Sequence, residues 1–386
     1  MFEPERRRLA ELAAAGLRRE LREVSSPAGP VVTLGGREVV CLCSNNYLDL
    51  AGDPRVRAAA RAAIERWGWG PGASRLISGT TSAHCALERR LAGLVGTEAA
   101  LLFGSGYAAN AGAIAAAAGP GDLIFIDKLV HASIIDAARA SGATLRVFGH
   151  RNYDRLEALL IRSGDTNRRL IVTDSLFSMD GDAADLPRLV ELKQRYDARL
   201  MVDEAHAIGV MGEAGRGVAE LQGTIGQIDI LVGTLSKALG GVGGFVAAGG
   251  EFIDLLINTA RGFIFSTALP SAACEAAAAA LELVEREPHR RQRLRATAER
   301  LRDELRQRGL DVGESCSQIV PVMLGSPPRA VALSEALLAR GYWTPAIRPP
   351  SVPRGRSRLR ISLTAGHTDA HVDGLLVALD AARTTE

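Results

Sequence analysis

The chain has 386 residues, more than one ordinary domain core holds, so we expect two domains. Its composition of 47% apolar and 23% charged residues excludes a fibre, a disulfide-rich miniprotein and a disordered tail. A net charge of +2, from 46 basic and 44 acidic residues, provides no overall attraction to nucleic acid, so we expect small molecules or protein as partners.

The first 23 residues predict an amphipathic helix, with charges from the start and no uninterrupted apolar stretch. We therefore expect neither a signal peptide nor a membrane anchor. The following segment, 31–43, predicts a hairpin with a glycine turn. Its CLC end places Cys41 and Cys43 on one strand face, which favours two core thiols over a pair of metal ligands.

Five cysteines are scattered along the chain. An odd number argues against a disulfide framework and favours reduced thiols, so we expect a cytoplasmic protein. The longest uncharged run, between Glu98 and Asp122, contains several glycines and a proline, a poor composition for a lipid-facing helix. We therefore expect no membrane contact. We also expect no metal site.

Short apolar runs alternate with amphipathic helical segments from about residue 97 onward. The predicted strands are 99–103, 122–127, 144–149, 169–174, 198–205, 229–234 and 243–249. Helical patterns between them, such as 131–141 and 185–197, indicate crossover units. This alternation predicts an α/β fold with a mostly parallel seven-stranded sheet covered by helices.

A helical stretch over about 270–309 follows, and a strand, helix, strand, helix order completes the chain. We expect a large α/β domain over 47–286 and a smaller α/β C-terminal domain over 287–386. Residues 1–46 are expected to pack with the smaller domain.

Polar residues follow several of the predicted strands. Ligands of open α/β sheets bind at the carboxyl ends of the strands, so these positions are the first candidates for a site. The segments are 104–107, 127–133, 174–182, 203–206 and 234–237.

Lysine is rare in this chain, which contains only Lys128, Lys193 and Lys237. Lys193 falls on the polar side of an amphipathic helix pattern and is expected to be solvated. Lys128 follows an apolar strand and is expected in a turn. Lys237 lies between a strand and the glycine-rich ALGGVGGF, where backbone can approach a ligand closely, so it is the candidate reactive amine.

The sequence DEAH at 203–206 is also found in nucleotide-hydrolysing helicases. A phosphate loop of that class needs a Gly-Lys pair, and the chain has none. An isolated Asp203 would most simply cap a turn. Its occurrence with His206, Thr234 and Lys237 favours a functional role instead.

These residues resemble the constellation of fold-type I pyridoxal-phosphate enzymes, and further segments are similar to the α-oxoamine synthases. Members of this family condense an amino acid with an acyl thioester and release carbon dioxide. The resemblance runs from about Leu17 to the last helix. The segments that carry it are SNNYLDL (44–50), GPGASRLISGT (70–80), GSGYAAN (104–110), HAS (131–133), FSMDGD (177–182), VDEAHAIGVMGEAGRG (202–217) and TLSKALGG (234–241).

The resemblance implies roles around the ring of pyridoxal 5'-phosphate. Lys237 would form the Schiff base and later move protons at the substrate α-carbon. Asp203 would keep the ring nitrogen protonated, so that the ring accepts electrons. His131 would stack on the ring and, as a further catalytic residue, also contact the substrate. His206 and Ser178 would contact the ring hydroxyl.

The phosphate of the cofactor is expected at the start of the helix after GSG. Gly106 and Tyr107 open this helix, whose N-terminal amides suit an anion, and Thr234 would add a hydroxyl. Ser266 or Thr267 would reach a phosphate across the interface of a homodimer.

Substrate contacts are also implied by the resemblance. Arg360 would hold the amino-acid carboxylate with help from Asn45. Arg18 and Ser351 match positions that contact the acyl substrate, although a slip of one residue would exchange Arg18 with Arg19.

The segment 344–367 is similar to the family members that act in biotin formation, which use L-alanine and a pimeloyl thioester carried by coenzyme A or acyl carrier protein. A sister synthase using glycine and a catalytically silent partner subunit are the alternatives. Three residues depart from the family pattern. Asp49 replaces a common Gly, Thr80 a frequent Tyr, and Ser351 a Thr, and each could alter the fit of the acyl chain.

Overall fold

The structure is a computed structural model that describes residues 3–164 and 168–383. Its strands are β1 (Val31–Leu34), β2 (Arg37–Cys41), β3 (Ala99–Phe103), β4 (Leu123–Asp127), β5 (Thr144–Phe148), β6 (Arg169–Asp174), β7 (Arg199–Asp203), β8 (Ile230–Thr234), β9 (Gly244–Ala248), β10 (Ile319–Gly325), β11 (Tyr342–Trp343), β12 (Ala346–Ile347) and β13 (Ser357–Ser362).

The helices are interspersed among these strands, and a short π-helical turn, Arg75–Gly79, precedes the third of them. They are α1 (Glu3–Ala14), α2 (Pro54–Trp67), α3 (Ser82–Val95), α4 (Gly106–Ala117), α5 (Ala132–Ala140), α6 (Tyr153–Ile161), α7 (Leu186–Arg195), α8 (Val218–Leu221), α9 (Gly250–Thr259), α10 (Arg261–Ile264), α11 (Ser271–Arg286), α12 (Pro288–Gln307), α13 (Pro327–Ala339) and α14 (Asp369–Arg383).

Seven strands form one sheet in the order β3-β9-β8-β7-β6-β4-β5. Only β9 runs antiparallel to its neighbours in this sheet, and the other pairs are parallel. Every residue of β8 and β9 is buried, as a sheet covered on both faces requires. All seven predicted strands are present, so the predicted α/β fold is confirmed.

Helix α7 shows how the sequence pattern produces this packing. Its buried residues, Leu186, Leu189, Val190 and Leu192, recur at the three- and four-residue spacing of one helix face. The prediction that Lys193 is solvated was wrong. Its Nζ lies 2.8 Å from both carboxylate oxygens of Asp229, and only 13% of its side chain is exposed.

The described residues divide into two compact units. One comprises Asn46–Ser178 and Asp182–Gln292 and contains the seven-stranded sheet. The other comprises the residues up to Asn45, the tripeptide Met179–Gly181 and the residues from Arg293 onward. The boundaries expected from the sequence did not include the tripeptide.

The unit that holds both chain ends contains two three-stranded sheets, β1-β2-β11 and β10-β13-β12. Gly35 and Gly36, with φ of 56° and 78°, form the tight turn of the β1-β2 hairpin, as predicted. Cys41 is buried in the core of this hairpin, and its Sγ lies 3.8 Å from that of Cys43.

Two predicted helices differ from those observed. The N-terminal helix ends at Ala14 and buries none of its side chains, and Gly16 follows it with φ of 64°. The stretch predicted over 270–309 is two helices, α11 and α12, because Pro288 lacks the amide that would continue α11. Among the described residues, no helix is long and apolar enough to cross a membrane.

Candidate active site

The carboxyl ends of three parallel strands meet at one edge of the large sheet. Strands β6, β7 and β8 end at Asp174, Asp203 and Thr234, and Asp174 is paired with Asp203 in the register of the ladder. A parallel register therefore gathers these polar side chains at one edge, where α/β proteins bind ligands.

Lys237 lies on the short hairpin that joins β8 to β9. Hydrogen bonds from Leu235 N to Gly243 O (3.0 Å) and from Gly241 N to Leu235 O (2.8 Å) close this hairpin. Gly240 has φ of 65°, and a Cβ there would come within 2.3 Å of Ala51 N, so only glycine fits the turn. The half-buried Lys237 is thus held on a rigid support.

The amine of Lys237 begins a chain of polar contacts. Its Nζ lies 2.9 Å from Nε2 of His206, and Nδ1 of that imidazole lies 2.7 Å from the hydroxyl of Tyr47. His206 and Tyr47 are both buried. Sequence reasoning singled out His206 but missed Tyr47, although its place in SNNYLDL was a signal.

Asp203 is buried and accepts two hydrogen bonds. Asn110 Nδ2 donates to Oδ2 at 2.7 Å, and the amide of Ala205 donates to Oδ1 at 2.8 Å. Asn110 was not predicted as a site residue. A lone amide side chain in the alanine-rich start of α4 was the signal that could have found it.

His131 is the N-cap of α5 and is exposed. Its Nδ1 lies 2.7 Å from Ser133 Oγ, and its backbone amide donates to Asp174 Oδ2 at 3.0 Å. Displacement of water by surrounding atoms is the main cause that lowers the pKa of His131; Lys237 adds to it and Asp203 opposes it. Burial, followed by the charge of Asp203, raises the pKa of Asp174 well above its usual value.

The start of α4 fits a phosphate. Ser105 caps the helix, and a Cβ at Gly106 would lie 3.7 Å from Thr234 Oγ1, so the Thr234 hydroxyl lies beside the first amides of the helix. The Thr234 hydroxyl donates to Gly243 O at 2.8 Å and contacts the exposed Ser236 Oγ, also at 2.8 Å. Ser236 is a second hydroxyl that sequence reasoning missed.

The donor set as a whole fits pyridoxal phosphate. A lysine amine, a buried carboxylate and an open helix N-terminus lie at one sheet edge, as this cofactor requires. The phenol of Tyr107, by contrast, donates to Asp136 Oδ2 at 2.6 Å, so only its backbone is placed for a phosphate.

Three further predicted cofactor contacts are serine and threonine residues of the same unit. Ser178 is half-buried after β6, whereas Ser266 and Thr267 are exposed. The backbone of Thr267 pairs with that of Ser74 in an isolated antiparallel β-bridge. Their roles toward the cofactor and a partner subunit stay predictions.

Apart from His131, the predicted substrate residues belong to the other unit. Arg360 is buried in β13 and donates to Ser362 Oγ at 2.7 Å and to Asn45 Oδ1 at 3.2 Å, which orients its guanidinium. Arg19 donates to Ser351 Oγ at 3.4 Å. Arg18 instead lies 3.6 Å from Glu20, so of the two arginines only Arg19 is paired with Ser351 in the structure.

Two of the three departures from the family pattern have a structural account. Asp49 has φ of 55°, a left-handed conformation that favours glycine, and its carboxylate accepts from Asn46 Nδ2 at 3.2 Å. Thr80 Oγ1 accepts from Arg75 Nε at 3.0 Å and donates to Arg75 O at 2.6 Å.

Glu204, the second acid of DEAH, has a structural role. Its carboxylate accepts from Ser175 Oγ at 2.6 Å and from the amides of Val218 and Ala219 at 3.0 and 2.8 Å. Burial raises the pKa of Glu204 to about 7, against the opposing effect of these bonds. It therefore ties the loop after β7 to α8.

A further ionic cluster joins the half-buried His150 to two buried carboxylates. His150 bridges two carboxylates, with Nδ1 3.1 Å from Asp127 and Nε2 2.7 Å from Asp182. Phe177 packs edge-on against its ring at 4.4 Å. Burial alone would lower the pKa of His150, but hydrogen bonds to the two carboxylates outweigh it and raise the pKa to about 9.

Comparisons with known proteins agree with this geometry. The model of the aminotransferase class I and II family matches residues 37–379. The 8-amino-7-oxononanoate synthase of Anaeromyxobacter dehalogenans is 52% identical over 373 residues, which cover 97% of this chain and 94% of that protein. Other relatives of the same name are 47–53% identical.

Solved structures of serine palmitoyltransferase are also similar. That of Sphingomonas wittichii has a TM-score of 0.94 and 34% identity, covering 100% of this chain and 97% of its own. That of S. paucimobilis with bound pyridoxal phosphate and myriocin has a TM-score of 0.94 and 33% identity, covering 100% and 98%. The chain therefore belongs to the aminotransferase class I and II family and, within it, to the α-oxoamine synthases, which depend on pyridoxal phosphate.

Proposed function

We propose that this chain catalyses the decarboxylative condensation of L-alanine with a pimeloyl thioester. The products are 8-amino-7-oxononanoate, carbon dioxide and a free thiol, and the reaction belongs to biotin biosynthesis. The observation that carries this proposal is the 52% identity, over 97% of the chain, to a protein named for this activity.

Bound pyridoxal phosphate supplies an electron sink for the bonds broken at the amino-acid α-carbon. Lys237 and Asp203 would hold its ring, with His131 stacked on one face and Ser178 and His206 at the ring hydroxyl. The amides at Gly106 would hold the phosphate, and the hydroxyl of Thr234 would join them by turning its proton away from Gly243 O.

Lys237 is suited to move a proton at its Nζ. Nε2 of His206 lies 2.9 Å from this amine and can accept a proton from it or return one, depending on the tautomer. Tyr47, bonded to the other ring nitrogen at 2.7 Å, keeps the imidazole in the orientation that this exchange needs.

The amino-acid carboxylate fits the buried guanidinium of Arg360. A planar guanidinium binds a carboxylate through two parallel hydrogen bonds, and the bonds to Ser362 and Asn45 set its plane in advance. Preorganisation of this kind fixes the α-carbon relative to the arginine.

The acyl donor is proposed as pimeloyl-coenzyme A or pimeloyl-acyl carrier protein, with Ser351 and Arg18 or Arg19 at the acyl end. A pimeloyl chain presents five methylenes, and burying each contributes about 0.8 kcal/mol. Selectivity over an acetyl thioester should therefore exceed a hundred-fold.

We further propose that the chain works as a homodimer, with Ser266 or Thr267 of one subunit contacting the phosphate bound by the other. Both side chains are exposed in the single chain, which supports a contact in trans.

The identity of the reactive lysine is tested by substitution. Lys237→Ala should abolish the visible absorbance of a borohydride-reducible cofactor adduct, because Lys237 is the only lysine on the β8-β9 hairpin. The exposed Lys128→Ala is the matched control and should retain the adduct. A reducible adduct that persists in Lys237→Ala would disprove this role.

The substrate is tested by measuring thiol and carbon dioxide release. L-alanine, glycine and L-serine are each combined with pimeloyl-, succinyl-, acetyl- and palmitoyl-coenzyme A. L-alanine with the pimeloyl thioester should react fastest. Faster turnover of glycine with a short thioester would favour the sister synthase. Faster turnover of L-serine with the palmitoyl thioester would favour a serine palmitoyltransferase. No turnover with intact cofactor binding would favour a silent subunit.

A further inference from the structure

We propose that Asn110 and Ser133 are positioning residues that hold His131 as a neutral imidazole with its proton on Nε2. The inference deepens the proposed function, since the importance of His131 rests on it. The hydrogen bonds that carry it belong to one unit of the chain.

The first step is the orientation of the Asn110 amide. One atom of this side chain lies 2.7 Å from Asp203 Oδ2 and 2.9 Å from Ser133 Oγ. A carboxylate only accepts hydrogen bonds, so this atom is the amide nitrogen, which only donates. The Ser133 oxygen must therefore accept from Asn110.

The second step follows the proton of the Ser133 hydroxyl. The backbone amide of Ser133 can only donate, and it lies 3.3 Å from His131 Nδ1, so this nitrogen accepts. The Ser133 hydroxyl lies 2.7 Å from the same nitrogen and already accepts from Asn110, so it donates its own proton to Nδ1. Two donors converge on Nδ1, which must carry the lone pair, and the ring proton is left on Nε2.

Burial makes this arrangement hard to replace. Asn110 and Ser133 are 1% and 0% exposed, so bulk water cannot substitute for either hydrogen bond. Asn110 Oδ1 has no hydrogen-bond partner within the described part of the chain. The amide keeps its nitrogen toward Asp203 and Ser133 even so, because a flip would turn its oxygen against a carboxylate.

Protonation of His131 would disrupt the network. A proton on Nδ1 would break both hydrogen bonds to that atom and remove the cap of α5. Of the charged groups that face the ring, Asp203 and Asp136 favour the imidazolium, whereas Lys237 disfavours it. The lowered pKa of His131 agrees with a network that stabilises the neutral ring.

The experiment is nitrogen-15 NMR of the full-length chain labelled in histidine, as purified and again after removal of the cofactor. The chain has seven histidines, and His131→Gln identifies the signal of interest. We expect the Nε2–H tautomer in the wild type. Ser133→Ala and Asn110→Ala should each give a mixture of tautomers and raise the pKa of His131 by about 0.5 to 1.

Ser133→Thr retains the hydroxyl and should restore the wild-type tautomer. Ser141→Ala, which removes a hydroxyl at the other end of α5, is the matched control and should change nothing. If Asn110→Ala does not fold, Asn110→Leu, which has a similar shape and no donor, replaces it. The Ser133 oxygen then loses the hydrogen bond from Asn110, so the tautomer should again become mixed.

An Nδ1–H tautomer in the wild type would overturn the proposal, as would a tautomer that both Ser133→Ala and a folded Asn110 variant leave unchanged. A change in Ser133→Ala alone would overturn the part assigned to Asn110. The tautomer is measured without substrate, so loss of the proposed synthase activity with this network intact would disprove the function and not the inference.

Discussion

The charge of His150 makes the folded chain sensitive to alkaline pH. The imidazole is clamped between Asp127 and Asp182, and its pKa is raised to about 9 from an ordinary value of 6.5. A raised pKa stabilises the fold fully below the unfolded pKa, and this stabilisation is lost as the pH rises through the folded one. The affected window is therefore about pH 6.5 to 9.

The size of the effect follows from the difference between the two pKa values. Each unit corresponds to 1.36 kcal/mol, so the cluster contributes about 3 kcal/mol below pH 6.5. The histidine side chain is 25% exposed, so solvent screens only part of this interaction.

The perturbation is His150→Gln, which cannot carry a charge. Urea titrations at five values between pH 6 and 10 would give free energies of unfolding for both proteins, and their difference removes the titration of all other groups. The difference should be largest at pH 6 and shrink by about 3 kcal/mol toward pH 10. His289→Gln, which removes an exposed imidazole, controls for the substitution. A difference that stays constant or grows with pH would refute the reasoning.

Three other substitutions or measurements probe the site. Asp203→Asn should bind cofactor yet lower kcat about ten- to a hundred-fold, since it loses a charged hydrogen bond; an unchanged kcat contradicts the ring-nitrogen role. Arg360→Ala should raise the KM for L-alanine by a similar factor and leave that for the thioester unchanged, with partial recovery in Arg360→Lys. Sedimentation at assay concentration should give a dimer, and a fully active monomer would exclude a shared site.

The sequence predicted the sheet and its reactive edge well. Buried parallel strands are continuous apolar runs, and the polar residues directly after them had to lie at the carboxyl edge. Asp203, Thr234 and Lys237 were found in this way, since the first two end their strands and Lys237 lies three residues beyond the end of β8.

Contacts between distant segments could not be predicted in the same way. The periodicity of α7 placed Lys193 on a polar face but carried no information about Asp229, 36 residues further on. Asn110 and Tyr47 meet their partners through the packing of whole elements, 93 and 159 residues apart. The left-handed backbone of Asp49 could not be predicted, because aspartate indicates this conformation less strongly than glycine does.

The reversed direction of β9 has a consequence for how this chain can vary. Because β9 returns at once beside β8, the lysine segment is connected through nine residues, 235–243, without a crossover helix. The position of the lysine segment depends on the pairing of β9 with its neighbouring strands β3 and β8. Gly244, the first residue of β9, is paired with both Phe103 and Thr234. Small shifts of the helices on the outer faces therefore need not change the distance between the amine and the phosphate end of the site.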